Sequence, residues 1–148
     1  MLGCGTGSNT VRVFISHSDK DQAWANQIAQ RLKEAGLQVW DAADELYPGD
    51  NWHLEIGKAL AAANAMIVLV SPAAAESKML REEISYAIGV KKFKDRLIPV
   101  IVKPTSKMPW ILKTMRPEKG SPEEVSKRII QRLKASKRPN NRPKISVA

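Results

Sequence analysis

The sequence predicts a doubly wound α/β fold, in which a central parallel sheet of four to five strands carries helices on both faces. Three observations predict it. Short aliphatic runs recur at residues 11–16, 37–40, 66–70 and 97–102. Stretches with apolar residues at helical spacing separate them. The intervals suit right-handed crossovers, which bring successive strands parallel with helices packed on each side.

Each element follows from its residues. Residues 11–16 form a β-branched run that stops at Ser16-His17-Ser18-Asp19 and leads at once into a helical pattern. Ala23, Trp24, Ile28, Leu32 and Ala35 give that helix its apolar stripe, and Gly36 is placed to end it. A second strand over 37–40 ends at Asp41, and a polar loop over 42–50 is punctuated by Pro48-Gly49. Trp52, Ile56, Ala59, Leu60 and Ala63 mark another helical stripe. The unbroken apolar run 66–70 is too short for a helix and reads as a central strand buried on both faces.

A helical segment is expected over most of 73–93, then a fourth strand at 97–102 whose Pro99 suggests an edge or a bulge. Three prolines weaken the pattern over 104–119, leaving at most a short strand around 112–115. Ser121-Pro122-Glu123-Glu124 opens the last helix with a cap, a first-turn proline and a glutamate three residues after the cap. Val125, Ile129, Ile130 and Leu133 supply its buried face. This arrangement suits a flavodoxin-like, three-layer fold. Residues 1–9 read as a flexible leader, 10–136 as one domain, and 137–148 as a basic tail or linker.

The chain of 148 residues carries a net charge of +9, distributed unevenly. Residues 1–126 hold 16 basic and 15 acidic side chains, whereas 127–148 hold eight basic ones and no acidic ones. The tail contains no aromatic residue on which bases could stack, so a nucleic-acid partner is not expected. A linker to a sensor domain or to a partner protein is the expected role of the tail. No apolar run approaches the ~18–20 residues needed to cross a bilayer, so no membrane association is expected. Cys4 is the lone cysteine, which excludes an internal disulfide and fits a cytoplasmic location.

Several chemistries are excluded. The glycines at 3, 5 and 7 precede the first strand and cannot cradle a pyrophosphate, and no phosphate-binding loop of the Walker kind is present. His17 and His53 lack partners at metal-ligand spacing, so no metal site is expected. A phosphate-accepting aspartate is missing from the end of the central strand, where Ser71 stands.

Five motifs in register resemble one family. Val13-Phe14-Ile15-Ser16-His17-Ser18 with Asp21 is similar to the first box of the TIR domain, the Toll/interleukin receptor homology module. Gly36-Leu37 with Val39-Trp40-Asp41 resembles its second strand, and Leu46-Tyr47-Pro48-Gly49-Asp50 its BB loop. Ile67-Val68-Leu69-Val70-Ser71 resembles its third strand, and residues 77–87 the helix bearing the family's glutamate.

Members of that family either scaffold signalling complexes or cleave NAD at the nicotinamide–ribose bond. The cleaving kind carries a glutamate four residues after a tryptophan. Here Glu83 falls on the catalytic position and Met79 stands where tryptophan is usual. At about 100° per residue, Leu80, Ile84, Ala87 and Ile88 form one stripe, with Glu83 on its flank and Glu82 turned away. The resemblance implies an NAD glycohydrolase releasing nicotinamide and ADP-ribose or a cyclic isomer. NAD would be substrate, not cofactor. Ser16, His17, Ser18, Asp19, Asp44, Leu46, Trp52 and Met79 are the expected substrate contacts, while Trp24 and Trp40 are assigned to the core. The resemblance further implies assembly with other TIR domains through the BB loop, in a prokaryotic-type immune defence. Met79 favours the alternative, a non-catalytic adaptor working through protein–protein contacts.

Overall fold

The computed structural model describes residues 11–135; the proposed leader 1–9 and tail 137–148 lie outside them. Four strands form one parallel sheet: β1 (Arg12–Ser16), β2 (Gln38–Asp41), β3 (Ala65–Val70) and β4 (Leu97–Ile101). Their spatial order is β2-β1-β3-β4, with every pairing parallel. The order reverses direction between β1 and β3, so the carboxyl ends of these two strands flank the topological switch point where such sheets bind ligands.

Side chains alternate across the sheet, as the strand period requires. Val13, Ile15, Ile67, Leu69, Ile98 and Val100 face α1 (Gln22–Glu34) and α6 (Pro122–Ala135). Ile28 and Leu32 of α1 and Ile129 and Leu133 of α6 close that layer and are fully buried. Phe14, Met66, Val68 and Val70 face the other way, toward α3 (Trp52–Ala62), α4 (Pro72–Ala75) and α5 (Lys78–Ile88). A short helix, α2 (Ala42–Glu45), follows β2 directly. The fold is the expected flavodoxin-like three-layer arrangement, with four strands. Leu32→Ala is expected to destabilise it by about 2–5 kcal/mol in urea unfolding, because no neighbour in that dense layer can fill the space.

Local chemistry explains the ends. Gly36 ends the α1 turn at φ +92°, a conformation that L side chains rarely adopt. Ser121 and Glu124 form a reciprocal cap on α6, each side chain accepting from the other's backbone N–H at 3.1 and 3.0 Å. Pro99 sits on edge strand β4, and its carbonyl accepts from Glu118 N–H on the outer side. Its missing N–H falls on that same edge, where the ladder loses little.

Some expectations are corrected. The helix foreseen over 73–93 is three pieces: α4, α5 and a 3₁₀ turn over Lys91–Phe93. Ser77 makes the break by accepting from Leu80 N–H, which starts α5 afresh. The short strand around 112–115 is instead a 3₁₀ helix, Trp110–Met115, and Glu118 adds only a single bridge to Val100. Three prolines and a left-handed Arg116 keep that stretch from extending into a ladder. Ile88 is 40% exposed and does not belong to the α5 stripe, because α5 ends there and its last turn looks outward. Trp52 starts α3 but is 46% exposed, so it is not part of that helix's buried face. Trp24 and Trp40 are half-buried against the core layers, with Trp40 stacked on Phe14 at 5.1 Å.

Candidate active site

A cleft of about 70 Å³ opens at the carboxyl ends of β1 and β2. Ser16, His17, Asp19, Trp52 and Glu83 line it, together with Phe14, Ile15, Ala42 and Ala43. Five of the nine residues expected to act on substrate therefore meet in one place. Ser18 is adjacent, with its hydroxyl accepting from Lys20 N–H to cap the 3₁₀ turn Asp19–Asp21. Leu46 and Met79 are half-buried against the core layer of α3 and α5 and do not line the cleft. Asp44 is exposed and faces a different depression, alongside Asn26, Gln30 and Lys33 of α1. One turn of α2 carries it away from the cleft.

Glu83 is the chemical centre. It projects from the sheet-facing side of α5, is only 7% exposed, and accepts a 2.5 Å hydrogen bond from the Ser16 hydroxyl. Burial raises its pKa to about 7, although the Ser16 bond and the positive charge of His17 both work to lower it. Glu82, one residue earlier, is exposed. The carboxylate is thus desolvated but not isolated: it keeps one donor and a nearby cation.

His17 is held at both ring nitrogens. Nδ1 lies 2.8 Å from the Ser18 carbonyl oxygen, and Nε2 lies 2.8 Å from Asp41 Oδ1. A carbonyl and an ionised carboxylate only accept, so both nitrogens must carry hydrogen and the ring is an imidazolium. Burial alone would lower its pKa, but the Asp41 hydrogen bond and charge outweigh that and the pKa is raised. Asp41 is 2% exposed; burial pushes its pKa up, yet the bonds from His17, Ala43 N–H and Gln22 leave it below the ordinary value. One carboxylate therefore ties β1, α1, β2 and α2 around the cleft.

Asp41 was not singled out as a site residue. The signal was present: an aspartate ending a strand and preceding two alanines is a helix N-cap, and here its side chain accepts from Ala43 N–H. Asp21 is also buried and accepts a 2.6 Å bond from Ser71, joining the loop after β1 to the end of β3. Asp41→Asn is expected to lower the pKa of His17, because the substitution removes the negative charge that favours the imidazolium. NMR titration of the His17 ring reads this directly; an unchanged midpoint would refute the assignment.

Among the described residues, no three His, Cys, Asp or Glu side chains cluster closely enough to share a metal ion. No described helix is long and apolar enough to cross a membrane. What the cleft offers is a fixed negative charge beside a buried cation, with an indole at its mouth.

The comparisons agree on the fold. A family model for the TIR domain matches residues 13–134. The TIR domain of the Toll-related receptor TRR-2 from Hydra magnipapillata superposes with a TM-score of 0.69 at 20% identity, covering 85% of this chain and 97% of that one. A metazoan TIR-STING receptor from C. gigas gives 0.69 at 20% identity, covering 90% of this chain and 42% of that receptor. A diflavin flavoprotein from Nostoc sp. gives 0.52 at 8% identity over 86% and 98% of the two chains. A search of curated proteins finds no match. Because the family match runs from inside β1 almost to the end of α6 and includes every cleft residue, the chain belongs to the TIR domain family.

Proposed function

We propose that this TIR domain is an NAD glycohydrolase, with Glu83 as the carboxylate that carries the reaction. The single observation behind the reading is a buried glutamate held by Ser16 at the switch point of the sheet. Cleaving the nicotinamide–ribose bond expels neutral nicotinamide and leaves positive charge on the ribose. A fixed carboxylate stabilises that charge more in the transition state than in the substrate, which lowers the barrier. The departing ring already carries the positive charge, so no acid is needed to protonate it. Water then adds to the ribose and loses a proton, giving ADP-ribose; attack from within the molecule would give a cyclic isomer.

The other residues take supporting roles. Trp52 at the cleft mouth offers a face for the nicotinamide ring, Asp19 offers polar atoms to the ribose, and Ser18 beside the cleft steadies the loop through its cap. His17 and Asp41 hold the loop and supply the cation that keeps Glu83 ionisable. Met79, where the family usually carries an aromatic, packs against the apolar layer beneath α5.

A volume of about 70 Å³ is far below the ~300–1,000 Å³ of ordinary ligand pockets. It is too small for the whole dinucleotide, so only the reacting end of NAD would sit in it. The loop that would complete the site is exposed over residues 47–50, with Tyr47 70% accessible. Assembly of several copies through this loop would supply the missing wall, and immune defence by NAD depletion is the role that fits. The exposed Tyr47 equally suits a purely adhesive adaptor. Incubating concentrated protein with NAD and following nicotinamide release separates the two: release at the rate of a buffer blank would leave the adaptor.

A further inference from the structure

A second cavity, of about 450 Å³, lies at the amino end of β4, the opposite end of the sheet from the cleft. It falls within the size range of small-molecule sites. Its apolar lining comes from the end of α5 (Ala87, Ile88), from Val90 and Phe93, from Leu97, and from Ile111 and Met115 of the 3₁₀ helix. Its polar lining is unequal in charge: Lys94, Arg116 and Arg132 against Asp95.

Two features mark it as more than a packing gap. Asp95 and Arg116 are the two non-glycine residues with positive φ among the described residues, at 64° and 55°, and both stand in its wall. Such conformations are held against a cost and gather at ligand clamps. Lys94 and Arg116 form no ion pair among the described residues, so their charges are free to act. Arg132, by contrast, is already engaged: its guanidinium donates to Glu118 and to the Arg116 and Met115 carbonyls.

We infer that this cavity binds a small anionic amphiphile, with its carboxylate or phosphate head met by Arg116 and Lys94 and its apolar body laid against Ile88, Val90, Ile111 and Met115. The site is independent of NAD cleavage and stands or falls separately.

The full chain is titrated with 1-anilinonaphthalene-8-sulfonate, an anionic aromatic that fluoresces when desolvated, and with N-phenyl-1-naphthylamine, its neutral counterpart. The sulfonate is expected to saturate one site and to shift amide resonances over 87–97 and 111–116. Arg116→Gln with Lys94→Gln is expected to weaken the sulfonate about 10-fold while leaving the neutral dye unchanged, because only the charged head uses those side chains. Ile111→Glu is expected to weaken both dyes. Displacement by octanoate but not octyl phosphate identifies a carboxylate site; the reverse identifies a phosphate site. Unsaturable binding, resonance shifts confined to the Glu83 cleft, equal affinity in the double variant, or sulfonate affinity that falls as protein concentration rises (a second copy covering the cavity) would each overturn the inference.

Discussion

Glu83→Gln is expected to cut nicotinamide release from NAD by about 10²–10³-fold, the usual loss when one preorganised electrostatic group is removed from a transition state. The substitution keeps the side chain's shape and an oxygen for the Ser16 hydroxyl, so the fold and the cleft remain. What it removes is the negative charge facing the ribose as that sugar turns cationic. The wild-type profile carries its own signature. Glu83 must be ionised to act, and burial places its pKa at about 7. Activity of the free enzyme, followed as kcat/KM, should therefore climb with pH through that region, on a limb much more alkaline than an ordinary glutamate would give. A glutamine variant within a few-fold of wild type, or a limb near pH 4.5, would remove Glu83 from the chemistry.

The same carboxylate should make the protein less stable as pH rises. In the unfolded chain Glu83 ionises near 4.5, whereas the folded state holds its proton up to about 7. Between those values the native state binds more protons than the unfolded one, so raising the pH favours unfolding. Below 4.5 the group costs nothing; above about 7 its full cost is present, on the order of 3 kcal/mol. His17, with its raised pKa, adds to the same trend, since its contribution is complete below 6.5 and is lost as pH climbs through its folded pKa. Asp41 acts oppositely: its depressed pKa stabilises above 3.8 and is lost on acidification. Comparing Glu83→Gln with wild type isolates the glutamate. From pH 5 to pH 8, urea unfolding should show the variant gaining about 2 kcal/mol relative to wild type. A constant difference across that range would mean that Glu83 is not desolvated in solution.

Most of the frame was legible because it rests on local periodicity. The run 66–70 could be nothing but a buried strand, and β3 is buried at every position. Ser121 with Glu124 announced α6, and the cap is formed as written. Glu83 could be placed on the inner flank of α5 from helix geometry alone, and it is buried there. The sequence was less informative where a side chain outside an element sets its end. Ser77 splits one expected helix into two, although Ala73, Ala74 and Ala75 favour continuing it. Asp44 sits only two residues before Leu46 in the same polar loop, but the turn of α2 sends it to the α1 side. The His17–Asp41 pair joins residues 24 positions apart, and no spacing rule reports a contact set by strand register.

The two borders of the sheet carry a last consequence. β2 is only four residues long, and β4 is broken on its outer side by Pro99 and covered there by the chain at Glu118. Neither border offers the long, flat row of open amides on which foreign strands template themselves. The self-assembly proposed above would therefore run through loops and helix surfaces instead of a continuous backbone ladder. A contact of that kind would come apart on dilution, whereas an amyloid-like ladder would persist.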